Sequence, residues 1–330
     1  MTMIDRLSPL DRALLEDFQR DLPLVAAPFA AMAGRLGVDE ETVLERLCAL
    51  KEVGAISRVG ATFRPNTAGA STLAALAVPA TRIEEVAGIV SAEAGVNHSY
   101  LREHDWNLWF VATARDAYDL AASLTRIEAR TGLPLLDLRL VRAFNVDLGF
   151  SMRGPRKPLS TCGAADVTVL CEDDRPILSA LADGLNLVPR PFAALGKALG
   201  RTEAAILERI AILARARILT RIGVIVRHRT LGWRANAMVV WDVPEERIEA
   251  AGRALCSLAG VTLCYQRRTV PGVWPYALFS MIHGRSRDET LGVLATAEDL
   301  PELTGIRRQV LFSTRCYKQT AALLQGEAAA

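Results

Sequence analysis

The segment HSYLREHDWNLWF, His98 to Phe110, holds two of the chain's four histidines, with Tyr100, Arg102 and Trp106 between and beside them. An imidazole can give or take a proton near neutral pH. A guanidinium binds carboxylates through charge-assisted, often paired hydrogen bonds. Read as a hairpin with Glu103–Trp106 at its tip, the alternation of a strand puts His98, Tyr100 and Arg102 on one face, with His104 just beyond at the turn. A second segment, LCYQRRTVPGVWPYALF, brings Tyr265, Arg267, Arg268, Trp274 and Tyr276, with Leu263 where the first has His98. The candidate catalytic residues are therefore His98 and His104. The candidate binding residues are Tyr100, Arg102, Trp106, Tyr265, Arg267, Arg268 and Trp274. The plainer alternative makes them solvated hairpin residues, with Trp106, Trp109 and Trp274 as anchors of a core or an interface. His283, in SMIHG, ends a strand and reads as structural, and His228 stands between Arg227 and Arg229.

Other chemistries lack their residues. His98 and His104 have no third metal ligand nearby, and there is no HExxH, so no metal site is expected. GxSxG, GxxxxGK[ST] and GxGxxG are all absent, which removes the usual signs of a serine nucleophile and of nucleotide binding. Hydrophobic residues make up 51% and charged residues 23% of the chain, with a net charge of +2, a globular composition without a nucleic-acid binder's excess of positive charge. The six cysteines show no CxxC and no paired spacing, and read as reduced thiols of a cytoplasmic protein. The opening MTMIDRLSPLDRALLEDF carries acids early and no apolar stretch, so no signal peptide is expected. No apolar run approaches the roughly 20 residues of a membrane span.

The elements that must position these residues are written twice. LPLVAAPFAAMAGRLGVDEETVLERLCALKEVGAISRVG, from Leu22, aligns without a gap on LNLVPRPFAALGKALGRTEAAILERIAILARARILTRIG, from Leu185, at a constant offset of 163. Leu24, Pro28, Phe29, Leu36, Gly37 and the triplet Leu44-Glu45-Arg46 all have identical counterparts, which implies a duplicated unit. Each copy opens with short helices. Pro28–Leu36 is one, ended by Gly37. Asp39 caps the next, and the run AISRVGATFRP follows as a β wing. Strand 72–78, helix 82–93, strands 96–102 and 107–113, helix 116–131 and strand 136–145 complete the first copy in the order βαββαβ. The expected fold is α+β: tandem winged helix-turn-helix plus ferredoxin-like units. The expected domains are 1–66 and 67–150 for the first copy, 167–230 and 231–330 for the second, with a Gly/Pro/Ser-rich linker at 151–166. Two copies of one sheet in one chain should pack as a pseudo-dimer, so a pseudo-dimeric monomer or a homo-oligomer is expected.

This order resembles the Lrp/AsnC transcription regulators, and a ligand-responsive regulator is one alternative function. The recognition helix argues against it. Its first turn reads Asp39-Glu40-Glu41, acids that suit the helix dipole but repel phosphates. The second copy offers Arg201-Thr202-Glu203 and then Ala204, Ala205 and Ile206, with little to read a base edge. Specific DNA binding is not expected.

The segments NHSYLREHDWNLWF, LCYQRRTVPGVWPYALFSMIHG and RIGVIVRH, set in two degenerate regulator-like halves, resemble the sirohaem decarboxylases, in the fused two-half form of the haem d1 pathway. The resemblance runs from about Leu7 to Ala322. It implies a carboxy-lyase that removes the C12 and C18 acetate carboxyls of sirohaem to give 12,18-didecarboxysirohaem. It implies no cofactor, the iron tetrapyrrole being substrate, and homologous decarboxylase subunits as partners. The residues suit that chemistry: a His to protonate the new methyl, Arg to clamp carboxylates, Tyr hydroxyls beside them, and Trp106 and Trp274 as apolar walls. A non-catalytic haem-binding protein is the remaining alternative. The two halves differ at His98/Leu263, which places the chemistry mainly on the first hairpin.

Overall fold

The computed structural model describes residues 3–145 and 164–320. The first copy runs α1 (Pro9–Asp17), α2 (Pro28–Leu36), α3 (Glu40–Glu52), β1 (Ile56–Phe63), β2 (Ala70–Leu76), α4 (Ile83–Ala92), β3 (Val96–Arg102), β4 (Leu108–Ala114), α5 (Ala117–Thr131) and β5 (Leu135–Asn145). The second runs α6 (Arg175–Asp183), α7 (Pro191–Ala198), α8 (Glu203–Arg215), β6 (Leu219–Val226), β7 (Ala235–Trp241), α9 (Glu245–Ser257), β8 (Val261–Arg267), β9 (Leu278–Gly284), α10 (Arg287–Glu298) and β10 (Arg308–Gln319). The described residues form two compact units, 3–68 with 164–233 and 69–145 with 234–320. Each unit thus takes one part from each copy. Residues 151–163 of the expected linker, and Cys162 with them, lie outside the described residues.

In the helical unit, local chemistry sets the helix ends. Ser8 caps α1 by accepting from the Asp11 amide, and the Asp11 carboxylate accepts from the Ser8 amide in return. Gly37 ends α2 at φ 69°, a left-handed conformation that suits glycine. Asp39 caps α3 through the Thr42 amide at 2.6 Å. The repeated Leu-Glu-Arg triplet acquires a reason here. Arg46 donates through Nε and Nη2 to buried Asp11, both at 2.9 Å, and Arg209 does the same to buried Asp174. Each arginine ties the third helix of its copy to the first.

Burial alone would raise the Asp11 pKa, but Arg46, the Ser8 hydroxyl and the Ser8 amide together hold it below its ordinary value. Asp174 is likewise held down by Arg209 and Cys171 against its own burial. A carboxylate whose pKa is lower folded than unfolded stabilises the fold fully above the unfolded value, near 3.8 for these groups. That stability is lost as pH falls below it and through the folded pKa. Asp11→Asn or Asp174→Asn should each cost this unit about 1.5–3 kcal/mol at pH 7 and flatten its acid limb below pH ~4. Urea melts at neutral and acidic pH check this. An unchanged midpoint at pH 7 in both variants would show the pairs to be idle.

The expected wing takes a different form. β1 does not fold back within its own copy. It pairs antiparallel with β6 of the other copy, Gly60 opposite Gly223. A Cβ at Gly60 would stand 2.4 Å from the Leu181 carbonyl oxygen, and one at Gly223 would stand 2.3 Å from that of Phe18. So the end of each copy's first helix lies against the other copy's strand, and only glycine admits that approach. The Leu185 amide donates to the Val59 carbonyl and the Leu22 amide to the Ile222 carbonyl, the same bond made twice.

In the second unit, eight strands close into one barrel in the order β10-β3-β4-β2-β5-β8-β9-β7. Each copy contributes a four-stranded sheet with its first and third strands central. The two sheets join edge to edge at β5–β8 and β3–β10. Two apolar clusters lie where α4 and α5, and α9 and α10, cover the outer faces. A third fills part of the barrel interior with residues of both copies: Ala75, Trp109, Leu136 and Leu138 from the first, Met238, Val240, Trp274, Tyr276, Phe279 and Leu311 from the second. Among the described residues, no helix is long and apolar enough to cross a membrane.

Candidate active site

β3 and β8 stand four strands apart in the eight-strand circuit, so their inward faces look at each other across the barrel. The strand register fixes what those faces carry. Tyr100 stands opposite Trp109 and Tyr265 opposite Phe279, and both partners belong to the interior cluster. Strand alternation then turns His98, Tyr100 and Arg102 inward from β3, and Leu263, Tyr265 and Arg267 inward from β8. The Arg102 guanidinium lies 5.6 Å from the Tyr100 ring centre and that of Arg267 lies 5.2 Å from Tyr265, a matched pair of cation–π contacts. The His98 and Tyr100 ring centres are 6.3 Å apart, their planes inclined at 29°. Tyr100, Tyr265, Arg267, Leu263, Met281, Leu73 and Val111 point inward and are each only partly buried.

Burial pushes the Arg267 guanidinium down to about 10, against the pull of Tyr265, and pushes Tyr265 up to about 12, against the pull of Arg267. At neutral pH the first stays a cation and the second a neutral hydroxyl. Arg267 Nη1 donates to the Leu138 carbonyl at 2.9 Å, while its buried Nε has no hydrogen-bond partner. Arg102 is held differently. Its Nη1 donates to the Leu311 carbonyl at 2.9 Å and to Asn236 Oδ1 at 3.1 Å. Arg268 does not join this group. It is exposed, one position out of step with Arg267, and its amide bonds to the Arg139 carbonyl.

The two candidate histidines occupy opposite ends of the first hairpin and differ in protonation chemistry. Thr113 donates to the Gly95 carbonyl and accepts from Asn97 Nδ2, which turns Asn97 Oδ1 toward His98 Nδ1 at 2.6 Å. His98 Nδ1 is therefore the donor in that bond. His104 is the reverse. Its Nδ1 accepts from the Trp106 amide at 3.0 Å, so the neutral ring carries its one proton on Nε2. Burial lowers the His104 pKa, against a smaller upward pull from Asp105.

His104 also meets the edge of Trp274, ring centres 5.5 Å apart. Trp274 in turn touches Trp109, Tyr276 and Phe279, and Trp109 Nε1 donates to the Trp106 carbonyl. The two hairpin tips thus meet in an aromatic plug at one end of the barrel. Trp106 and Trp274 both belong to it, and the buried Trp274 Nε1 has no partner. Sequence reasoning passed over Asn97, which orients His98, and Asn236, which accepts from Arg102, and it read His283, which meets the Asn236 amide, as structural. The signal for Asn236 was a lone amide in the apolar run ANAMVVW. For His283 it was the inward parity it shares with Phe279 and Met281. Among the described residues no cluster of three or more His, Cys, Asp or Glu could hold a metal ion.

Fold and site together define a protein with two fused AsnC-like sheets and a helix-turn-helix pair. Comparison agrees. Residues 68–145 and 230–318 match the AsnC-like ligand binding domain, and 11–56 and 174–219 match the siroheme decarboxylase NirDL-like HTH domain. The chain is 60% identical to the siroheme decarboxylase NirDL subunit of Paracoccus denitrificans over the whole of both chains. It is 49% identical to the siroheme decarboxylase NirD subunit of Stutzerimonas stutzeri over 45% of this chain and 98% of that one. A crystal structure of the siroheme decarboxylase NirDL in complex with an iron-uroporphyrin III analogue superposes with a TM-score of 0.69 at 30% identity, covering 95% of this chain and 93% of that one. The chain belongs to the sirohaem decarboxylase NirDL family, and it is a lyase.

Proposed function

We propose that the chain removes the C12 and C18 acetate carboxyls of sirohaem to give 12,18-didecarboxysirohaem, and that it does so without an organic cofactor. The observation that carries this reading is the barrel interior. Two Tyr–Arg pairs face each other across it, and one histidine beside them is oriented to deliver a proton. In each step the bond between the acetate methylene and its carboxylate breaks, CO2 leaves, and the electron pair passes into the conjugated macrocycle. A proton then completes the new methyl. His98 supplies it from Nε2 and keeps its Nδ1–H bond to Asn97 before and after, so the ring need not reorganise. His104 is unsuited to that role. Giving up Nε2–H would leave an anion, and taking a second proton on Nδ1 would break its bond to the Trp106 amide. It serves instead as part of the aromatic wall with Trp106 and Trp274.

An arginine on the reacting carboxylate would hold the ground state and oppose loss of CO2. Arg102 and Arg267 therefore grip carboxylates that stay, and the Tyr100 and Tyr265 hydroxyls complete the grip. Arg267→Ala should weaken sirohaem binding roughly tenfold or more, since a charge-assisted bond contributes about 1.5–3 kcal/mol. Arg268→Ala should change it less than about twofold. Spectral titration checks both, and equal losses in the two variants would undo the assignment.

We place the chain in the cytoplasm, consistent with Cys48, Cys171, Cys256 and Cys264 standing outside any disulfide. A pseudo-dimeric monomer or a homo-oligomer suits the closed barrel, and half-length homologous subunits are its natural partners. We assign no specific DNA binding, because Asp39, Glu40 and Glu41 stand at the start of α3. Anaerobic incubation of the purified chain alone with sirohaem, followed by mass analysis, tests the function. Loss of two CO2 is expected without added cofactor or second protein. Stable binding with no loss would favour a haem-binding protein.

A further inference from the structure

Arg102 sits at one end of an ordered chain of hydrogen bonds whose directions can be assigned from the arginine outward. A guanidinium only donates, so Asn236 presents Oδ1 to Arg102 Nη1 at 3.1 Å. Its Nδ2 then faces His283 Nε2 at 2.6 Å, and that nitrogen must accept. His283 is therefore neutral with its proton on Nδ1, which donates to Thr262 Oγ1 at 2.8 Å. The Thr262 hydroxyl closes the chain on the Met281 carbonyl at 3.1 Å. Every link is fixed by the one before it. If His283 ceased to accept, Asn236 would lose what holds its amide the right way round. A turned amide would aim donors at a donor.

The equivalent corner of the barrel lacks this device. Asn236 pairs with His283 across β7 and β9 as Ser71 pairs with Thr113 across β2 and β4. There Arg267 keeps the backbone bond, to Leu138, that Arg102 makes to Leu311. The first-copy corner closes with a serine and a threonine, so barrel closure does not itself require an amide and an imidazole. What the extra groups add is a fixed orientation for one arginine.

We propose that His283, acting through Asn236, is a positioning residue that holds Arg102 in the orientation that grips a substrate carboxylate. This rests on the reading of Arg102 as a carboxylate-binding residue. The test is a double-mutant cycle on affinity, using the full chain titrated with sirohaem and, as a non-reacting probe, iron uroporphyrin III. His283→Leu and Asn236→Ala should each weaken binding by about fivefold to tenfold. His283→Gln, whose amide oxygen can still accept from Asn236, should restore most of it. Adding His283→Leu to Arg102→Ala should cost less than about twofold more, because the residue being positioned is gone. In turnover the His283→Leu defect should appear in KM. A full further loss in the Arg102→Ala background, or no rescue by glutamine in a variant with an unchanged melting temperature, would overturn the proposal. If Arg102→Ala binds sirohaem like wild type, the carboxylate role of Arg102 is what fails, and the proposal falls with it.

Discussion

Replacing His98 with alanine should slow decarboxylation by about 10²–10⁴-fold while leaving sirohaem affinity within a few fold, since general-acid catalysis typically contributes that factor. The direction follows from the hydrogen bond on the far side of the ring. Asn97 takes Nδ1–H, and the ring lies on the inward face of β3 beside Tyr100, which leaves Nε2 as the nitrogen we assign to proton delivery. His104→Ala should slow the bound-state rate by less than about tenfold, because its neutral ring cannot give up Nε2–H without becoming an anion and it acts through its edge contact with Trp274. Single-turnover rates at saturating sirohaem separate the two. Equal large losses would show that both imidazoles take part in proton transfer. A near-wild-type rate in His98→Ala would remove it from the chemistry.

Trp274→Ala should be the most destabilising single change in the barrel unit. The side chain is 1% exposed and contacts His104, Trp109, Tyr276 and Phe279 where the two hairpin tips meet. Emptying such a site removes the transfer energy of the indole and leaves a cavity, together about 3–5 kcal/mol. For a unit of this size that is a fall in melting temperature of roughly 10 °C. Trp274→Phe should recover about half, since it refills most of the volume. Calorimetry should show the loss in the transition that the barrel unit contributes. A shift of a degree or two would mean that the plug is not the packing anchor it resembles.

The sequence made some of this legible and hid the rest for identifiable reasons. The hairpin bearing His98, Tyr100 and Arg102 was readable because strand alternation is local. The helix ends were readable because Ser, Asp and Gly sit where orphan amides and a left-handed turn need them. The duplication was visible as a constant offset. The pairing of β1 with β6 was hidden, since it joins residues more than a hundred positions apart and a wing is ordinarily expected to close on itself. The glycines Gly60 and Gly223 mark it only once the partner helix is known. Arg267 and Arg268 look equivalent in sequence, and their separation depends on which of them the β5–β8 junction turns inward. His98 and His104 could not be told apart without knowing what each Nδ1 faces. Asn236 escaped, and His283 read as merely structural, because their link to Arg102 passes through the closed barrel.

A single-turnover reaction in deuterated water tests the central claim most directly. Sirohaem and an excess of the anaerobic chain are mixed, quenched and resolved by mass and by proton NMR. The account predicts a product lacking two carboxyls, with one solvent deuteron in each new methyl, at C12 and at C18. In His98→Ala both losses and both deuterons should arrive more slowly by the factor given above. Recovery of intact sirohaem from the wild-type chain, or loss of carboxyls other than the two acetates, would contradict it.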